Sequence, residues 1–308
     1  MPHRPSAPLL AILAGLRVAL LITLLSALLC ALLAYLLPAP LVAAEAEFIP
    51  IDEYLGEDGL TGDDLYDRVL DNRFSAFEQS ISLHSGDRGG HYQDVELRLR
   101  YKSYRDEKGP VLSKTIAKYF APQDVRHLGY LVINKRNGQD DQFVYRPSAR
   151  KVRRVNVRGE TIAGTDFAFE DIVPGEMEDG SHFRLADAEV DGIPTYVVTV
   201  VPNLDAESEY AKLVLYVEKE HFVPIQTLYW DNKRVQVKRL RADPESVQAV
   251  ADGREGGEGG GHQVWIARRS RMEHLKLETF TELMVTTHEA MPKLRDRHFS
   301  ERELTASR

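Results

Sequence analysis

The chain has 308 residues, with 47 acidic and 39 basic side chains and a formal net charge of −8. This mildly acidic balance argues against a dedicated nucleic-acid binder. The single cysteine, Cys30, lies in an apolar stretch near the N-terminus, so disulfides, thiolate metal sites and cysteine nucleophiles are excluded from the rest of the chain.

An unbroken apolar run covers residues 18–37, with Arg17 directly before it and acidic sequence after it. About twenty apolar residues are long enough to cross a bilayer as a helix, and a basic flank stays in the cytoplasm. Ala44 and Ala46 give the small-residue pattern of a signal-peptide cleavage site. We therefore expect residues 1–46 to be a cleaved signal peptide, with an uncleaved membrane anchor as the alternative. Either segment exports the following chain, residues 47–308, across a membrane.

Residues 47–62 are acidic and lack an apolar period, which indicates a leader. A helix is then predicted from Asp63 or Asp64 to about Phe77, because an aspartate is a good N-cap and apolar residues recur at helical spacing. The apolar face of this predicted helix consists of Leu65, Val69, Leu70, Phe74 and Phe77.

Apolar and charged residues alternate strictly from Val95 to Lys102, which is the period of a strand with one buried face and one wet face. Asn137-Gly138 is a strong hairpin signal. Further strands are predicted at 111–120, 129–134, 143–146, 196–201, 213–217, 225–229, 235–240, 264–268 and 275–287. Nine or more short strands joined by tight turns predict one antiparallel sheet, curled or closed to manage its edges. The glycine-rich segment 253–261 cannot bury apolar surface and is expected to be a disordered loop between two strands.

No catalytic or metal-binding motif is evident, and the ten histidines are scattered. The cluster of Glu218, Glu220 and His221 lacks the spacing of a ligand set and is interpreted as a solvated turn. We therefore predict no enzymatic activity, no metal site and no cofactor.

Two basic runs, 150–154 and 267–271, are interpreted as the wet faces of edge strands. Arginine binds phosphate through two parallel hydrogen bonds, so either run could also contact lipid phosphates. Arg153 and Arg154 are the candidates for such a phosphate or partner contact.

The most specific pattern lies in residues 143–172, FVYRPSARKVRRVNVRGETIAGTDFAFEDI. It resembles the outer-membrane lipoprotein-sorting protein family of the LolA-like superfamily. That family carries a tyrosine-x-proline strand end, a basic strand, and a turn that begins with glycine, serine or threonine, aspartate and phenylalanine. The matching positions are Tyr145, Pro147, Lys151, Arg153, Arg154, Gly164, Thr165, Asp166, Phe167, Phe169, Asp171 and Ile172. The resemblance extends from Leu60 to the end of the chain, while the long apolar N-terminus and the glycine-rich insertion depart from it.

The resemblance implies a mainly β fold with helices, in which residues 63–308 form a curved antiparallel half-barrel sheet covered by helices. Proteins of this superfamily shelter lipid acyl chains between the sheet and its cover. The implied function is a periplasmic carrier or acceptor of lipid or lipoprotein for outer-membrane sorting, active as a monomer and served by an inner-membrane transporter. The alternative is an envelope-stress sensor that shares the fold and binds a protein partner.

The expected lipid site consists of the inward side of the alternating strands and a lid at residues 164–172. The strand candidates are Val95, Leu97, Leu99, Tyr101, Leu131, Ile133, Val198 and Val200, with a closed core as the alternative interpretation. Phe167, Phe169 and Ile172 are too apolar for an exposed loop, and Asp166 could cap a short helical turn within the lid. A fixed structural turn is the alternative for this segment. On the lid hypothesis, Phe167→Glu weakens binding of a fluorescent fatty acid without unfolding the domain.

Overall fold

A computed structural model describes residue 54 and residues 56–156, 158–251 and 263–306. These residues belong to one compact unit, Ile51–Arg308. The predicted signal or anchor segment, most of the predicted leader and the glycine-rich loop at 253–261 lie outside the described residues. Within the described ranges, no helix has the length and apolar character needed to cross a membrane.

The first described element is helix α1, Gly62–Asp71. Its N-cap is Thr61, one turn before the predicted start: the Thr61 hydroxyl accepts the Asp64 N–H, and the Asp64 carboxylate accepts the Thr61 N–H. The helix ends earlier than predicted, because Phe77 belongs to the first strand. The predicted helix was too long because the helical spacing of apolar residues continues to Phe77, which belongs to the buried face of that strand.

In the part of the chain that the structure describes, fifteen strands and two further short α-helices follow α1. The strands are β1 (Ala76–Gly86), β2 (Tyr92–Ser103), β3 (Val111–Ala121), β4 (Gly129–Lys135), β5 (Asp141–Arg146), β6 (Lys151–Arg154), β7 (Gly180–Val190), β8 (Ile193–Pro202), β9 (Tyr210–Glu218), β10 (Pro224–Asp231), β11 (Gln236–Ala242), β12 (Val247–Ala251), β13 (Gln263–Ala267), β14 (Arg269–His274) and β15 (Thr279–Ala290). The helices are α2 (Phe169–Ile172) and α3 (Glu301–Thr305).

Thirteen strands form one antiparallel sheet in the order β6-β5-β4-β3-β2-β1-β15-β14-β11-β10-β9-β8-β7, while β12 and β13 form a separate hairpin. The sheet is strongly curved and does not close, which confirms the predicted LolA-like half-barrel. Strands β6 and β7 follow each other in the chain but lie at opposite edges of the sheet. Residues 155–179, which we call the crossing segment, therefore connect the two edges across one face.

The two faces of the sheet have separate cores. The inner face, which the crossing segment covers, packs Leu97 and Tyr130 against Phe167 of that segment. The outer face packs Leu131 against Leu304, which the C-terminal helix α3 brings onto it. Because successive strand residues point to opposite faces, neighbouring positions such as Tyr130 and Leu131 belong to different cores.

Helix α1 packs on the inner side of β7 and β8, where Leu65 and Tyr66 contact Val198 and Val200. His182 of β7 adds a polar contact, since its Nδ1 lies 2.8 Å from the Asp63 carboxylate and its ring stacks on Tyr66 at 4.1 Å. The helix is thus held over one end of the sheet, away from β1–β5.

The predicted position of one basic run is wrong. Residues 150–154 overlap β6, an edge strand, as predicted. Residues 267–271 instead lead into β14, which lies between β11 and β15 in the sheet interior. Here the guanidinium groups are paired, with Arg269 on Asp243 and Arg271 on Glu282. The sequence analysis did not place this charged strand in the sheet interior, because the carboxylates that pair with its arginines belong to other parts of the chain.

Candidate functional site

Polar side chains fasten the crossing segment to the sheet at several points. The segment turns at Ala163 and Gly164, which have φ values of 49° and 78° in the left-handed region. The Asp166 carboxylate then accepts hydrogen bonds from the hydroxyls of Thr279 and Thr281 on β15, the latter at 2.8 Å. The Asp166 N–H donates to the Thr281 hydroxyl at 2.9 Å. This part of the motif is therefore a fastening to the middle of the sheet.

The expectation that Asp166 caps a helical turn is wrong. The N-cap of α2 is Ala168, and its N–H donates to the Asp171 carboxylate at 2.7 Å. Asp166 is unavailable for capping because both of its oxygens face the hydroxyls of β15.

A buried ion pair holds the second half of the motif. Lys238 Nζ on β11 lies 3.0 Å from Asp171 Oδ2, and the two side chains are 8% and 1% exposed. Lys238 Nζ also donates to the Tyr210 hydroxyl on β9 at 2.8 Å, and that hydroxyl donates to Asp171 Oδ1 at 2.9 Å. Burial and the Asp171 charge raise the pKa of Tyr210, which agrees with its role as a hydrogen-bond donor to Asp171.

A second buried carboxylate fixes the end of the crossing segment. Glu176 is fully buried and pairs with Arg73 at 3.0 Å. It also accepts a hydrogen bond from the Tyr101 hydroxyl on β2 at 3.0 Å. Arg73 donates further to the Gly175 carbonyl at 2.7 Å. The segment is thus tied to both halves of the sheet.

A cavity of about 500 Å³ lies on the inner face, bounded by α1, the second half of the crossing segment, Asn134 of β4, strands β8–β11 and the β12–β13 hairpin. This volume is in the range of small-molecule sites. Its apolar lining includes Val69, Leu70, Val173, Val200, Leu213, Leu215, Val223, Leu240, Trp265 and Ile266. Its polar lining includes Asn134, Arg158, Glu170, Asp171, Asp179, Ser208 and Tyr210.

A depression of similar volume, about 500 Å³, lies on the outer face. It is lined by Arg241, Arg269 and Arg271, each of which forms a salt bridge with a carboxylate. It adjoins neither the crossing segment nor α1. The inner cavity adjoins both elements and has a largely aliphatic lining, and it is therefore the candidate site.

The predicted site residues fall into three groups. Six of them, which pack in the main core of the inner face and are at most 3% exposed, are Val95, Leu97, Leu99, Tyr101, Phe167 and Phe169. Ile172 also packs on this main core. The second group consists of Val200, which lines the cavity, and Val198, which lies under α1. Leu131 and Ile133 lie on the outer face, since β4 presents alternate residues to the C-terminal segment. The structure thus separates residues that the sequence grouped.

Burial of Phe167 changes the expected outcome of its substitution. The ring is 2% exposed and packs in the main core. An ionised carboxylate at this position would be buried without a partner, which is strongly destabilising. Phe167→Glu would therefore unfold the domain, contrary to the expectation that it spares the fold.

Two carboxyl groups in the cavity wall have perturbed acidities. Burial raises the pKa of Glu170 to about 7, although Ser208 Oγ donates to it at 2.7 Å and the Glu209 N–H at 3.2 Å. Burial likewise raises the pKa of Asp179 to about 6, against the opposing effect of nearby Arg158. Perturbed carboxyls in a concave site are typical of functional positions.

Sequence reasoning missed most of the cavity wall. Glu170 lies inside the recognised motif, between the motif residues Phe169 and Asp171, and could have been singled out there. Leu213, Leu240 and Trp265 come from strands that are distant in the chain, and only the sheet order brings them together.

The two arginine candidates lie on the edge strand β6, outside the cavity. Both are exposed, and Arg154 pairs with Asp141. Their proposed contact with phosphate or a partner stays a prediction. Glu218 accepts the N–H groups of Glu220 and His221 and so closes a turn. In the described part of the chain, no three His, Cys, Asp or Glu side chains are placed to hold a metal ion.

Comparison with known proteins identifies the family. A family model described as "-like: Uncharacterized protein" matches residues 112–306. The chain belongs to this family. No curated protein matches the chain.

Solved structures share the fold. A putative outer membrane lipoprotein-sorting protein domain from Vibrio parahaemolyticus superposes with a TM-score of 0.67 at 20% identity, covering 80% of this chain and 98% of that one. A DUF1329 family protein from Desulfovibrio piger gives 0.64 at 22% identity, covering 79% and 97%. A LolA superfamily protein from Nitrosomonas europaea gives 0.61 at 18% identity, covering 79% and 99%. These likenesses confirm the suspected LolA-like relationship at the level of the fold.

Proposed function

We propose that this protein is a carrier or acceptor that shelters an acyl chain of a lipid or lipoprotein in the inner-face cavity. The observation that carries the proposal is a cavity of about 500 Å³ with a largely aliphatic lining, left open beside a core that is otherwise closely packed. The fold shared with a putative lipoprotein-sorting domain supports it. Binding rather than catalysis is the activity we assign.

The energetics of an acyl chain suit such a site. Each methylene removed from water contributes about 0.8 kcal/mol, so a sixteen-carbon chain represents on the order of 10 kcal/mol of transfer free energy. A carrier needs a comparable apolar surface, but a much better one would prevent release. The mixed lining, in which Leu213 and Leu240 share the wall with Glu170 and Asp171, meets this requirement of binding without trapping.

The remaining parts of the proposal concern place and partners. The apolar run at 18–37 and its basic flank support export to the periplasm. Cleavage after residue 46 would give a diffusing carrier, whereas a retained anchor would give a tethered relay. In either form we propose delivery to or from an inner-membrane transporter and action as a monomer.

The proposed function can be tested by a substitution that places a larger side chain in the cavity. Leu213 lines the cavity from β9 and is partly buried there. We expect Leu213→Trp to weaken binding of a fluorescent fatty acid about tenfold or more, a loss of at least ~1.4 kcal/mol, because the indole occupies space needed by the acyl chain. Fluorescence titration of the purified protein measures this.

Ile133→Trp is the matched control, because it adds the same ring on the outer face. It should leave the affinity unchanged, and circular dichroism should show that both variants fold. Equal affinity of the Leu213→Trp variant and the wild-type protein, with both folded, would overturn the cavity assignment.

A further inference from the structure

The polar wall of the cavity presents acceptors without matching cations. Arg158, the cationic side chain among the described lining residues, pairs with Asp140. Asp171 is already paired with Lys238, which reaches it from β11. The other two carboxylates among the described lining residues are Glu170 and Asp179. Within the described ranges, neither has a salt-bridge partner, and their closest donors are the neutral groups of Ser208, Glu209 and Glu176.

Asn134 adds an independent observation at the same wall. This side chain is 2% exposed and lines the cavity from β4. Its Nδ2 donates to the Ser113 hydroxyl at 2.9 Å, whereas its Oδ1 has no hydrogen-bond partner. A buried carbonyl oxygen without a donor costs free energy, so a ligand that supplies a donor at this position would be favoured.

The acidities of the two carboxyls agree with this picture. Burial raises the pKa of Glu170 to about 7 and that of Asp179 to about 6. Arg158 lowers both values, but it does not bring either to the ordinary range of a carboxyl group. The fold alone therefore provides too little positive charge for two ionised groups at this wall.

We propose that the cavity selects an amphiphile whose polar end carries a primary ammonium group, which lies against Glu170, Asp179 and the free Oδ1 of Asn134 while its aliphatic chain follows the apolar wall. This inference rests on the proposed function and names the chemical class of its ligand. An ammonium group supplies three donors and one positive charge, which matches two unpaired carboxylates and one unpaired carbonyl oxygen. Such a group occurs on simple alkylamines and on ethanolamine phospholipids.

The experiment compares ligands that share a chain and differ at the polar end. Dodecylamine, dodecanol and dodecanoate are titrated into the purified protein by calorimetry at pH 8, where both carboxyls are ionised. We expect dodecylamine to bind about tenfold or more tightly than dodecanol, and dodecanoate to bind most weakly. The double variant Glu170→Gln/Asp179→Asn should lose this preference and bind dodecylamine and dodecanol with equal affinity.

Lysophosphatidylethanolamine and lysophosphatidylglycerol form the second arm, because both carry a phosphate and only the former carries an ammonium group. A preference for the ethanolamine lipid that disappears in the double variant assigns the group to a phospholipid. Equal binding of these two lipids, together with a dodecylamine preference, assigns it to a simpler amine.

The outcomes separate the two claims. Equal affinity of the wild-type protein for dodecylamine and dodecanol would overturn the ammonium assignment and leave the proposed function standing. Absence of binding by all of these ligands would overturn the proposed function itself. A dodecylamine preference that survives in the double variant would place the ammonium group elsewhere and contradict the assigned wall.

Discussion

At the scale of single residues, the motif that carries the family resemblance has a structural explanation. Gly164 permits the left-handed turn, Asp166 binds the threonine hydroxyls of β15, and Phe167 enters the core. Asp171 fastens the segment a second time, through its ion pair with Lys238. The motif therefore fastens the crossing segment to the sheet, and its residues Glu170 and Asp171 line the cavity.

The raised pKa of Glu170 predicts how the stability of the folded protein changes with pH. Its pKa is about 7 in the folded protein and near 4.5 when unperturbed, so the folded state holds the proton more tightly than the unfolded chain. Stability from this group is therefore lost as the pH rises from about 4.5 to about 7. Arg158 and Asp171 are the charged groups that face it.

Glu170→Gln should remove this dependence, because the amide stays neutral. We expect the variant to be more stable than the wild-type protein at pH 8, on the order of 2 kcal/mol, and equally stable at pH 4. Urea unfolding at several pH values measures the difference. Glu160→Gln, an exposed position on the same segment, is the control and should show no such trend. A Glu170→Gln difference that is constant with pH would contradict the assignment.

The sequence revealed only part of this residue-scale picture. Asp166 and Asp171 stand in a visible motif, so their importance could be predicted. Their partners could not: Thr281 and Lys238 are remote in the chain, and nothing local indicates which strand will face the segment. For the same reason, the alternation of β4 was recognised but the face of Leu131 was not.

At the scale of elements, the crossing segment decides the architecture of the inner face. Its first half fills the core over β1–β5, and its second half forms a wall of the cavity over β8–β11. Of the predicted lid, residues 164–172, Glu170 and Asp171 line the cavity, whereas Phe167 lies in the core. We propose that the second half of the crossing segment opens to admit the acyl chain, and that its fastenings at Asp171 and Glu176 set the free energy of opening.

The buried pair of Asp171 and Lys238 should dominate that free energy. Removing one partner of a buried ion pair leaves the other charge uncompensated and typically costs about 3–5 kcal/mol. We therefore expect Asp171→Asn to lower the unfolding free energy by about 3 kcal/mol or more, measured by chemical denaturation. The double variant Asp171→Asn/Lys238→Met should recover much of this loss, since it removes the uncompensated charge.

A surface pair on the same segment is the matched control. Glu160 pairs with Arg146 at 2.7 Å, and the two side chains are 51% and 52% exposed. Breaking this pair by Glu160→Gln should cost about 1 kcal/mol or less. If Asp171→Asn costs no more than Glu160→Gln, the buried pair is not the main fastening.

Elements in which apolar and polar residues alternate regularly could be predicted from the sequence. Elements whose buried faces also carry charged residues, or whose apolar spacing runs on into the next element, could not be predicted in full. The alternation at 95–102 predicted a strand that the structure confirms as β2. Helix α1 was found but was extended too far, because Phe74 and Phe77 continue its apolar spacing. The interior position of β14 was not recognised, because the local sequence does not show that Arg271 pairs with Glu282 on the neighbouring strand β15.

At the scale of the whole molecule, the curved open sheet could be predicted because many short strands and tight turns leave few alternatives. The sheet order could not be predicted, and it determines where the cavity lies. The chain turns back at β15 to join β1 with β14, so that early and late strands become neighbours. The empty space is consequently not beneath the most apolar strands, whose side chains fill their own half of the inner face.

The central claim is that this inner-face cavity holds an acyl chain in the cell. Extraction of the protein purified from its own cells, followed by lipid mass spectrometry, tests this most directly. The account predicts a lipid or acylated species in near-stoichiometric amount, and a clear decrease for the Leu213→Trp variant. A wild-type protein that yields no acyl-bearing molecule and takes up no added fatty acid would contradict it.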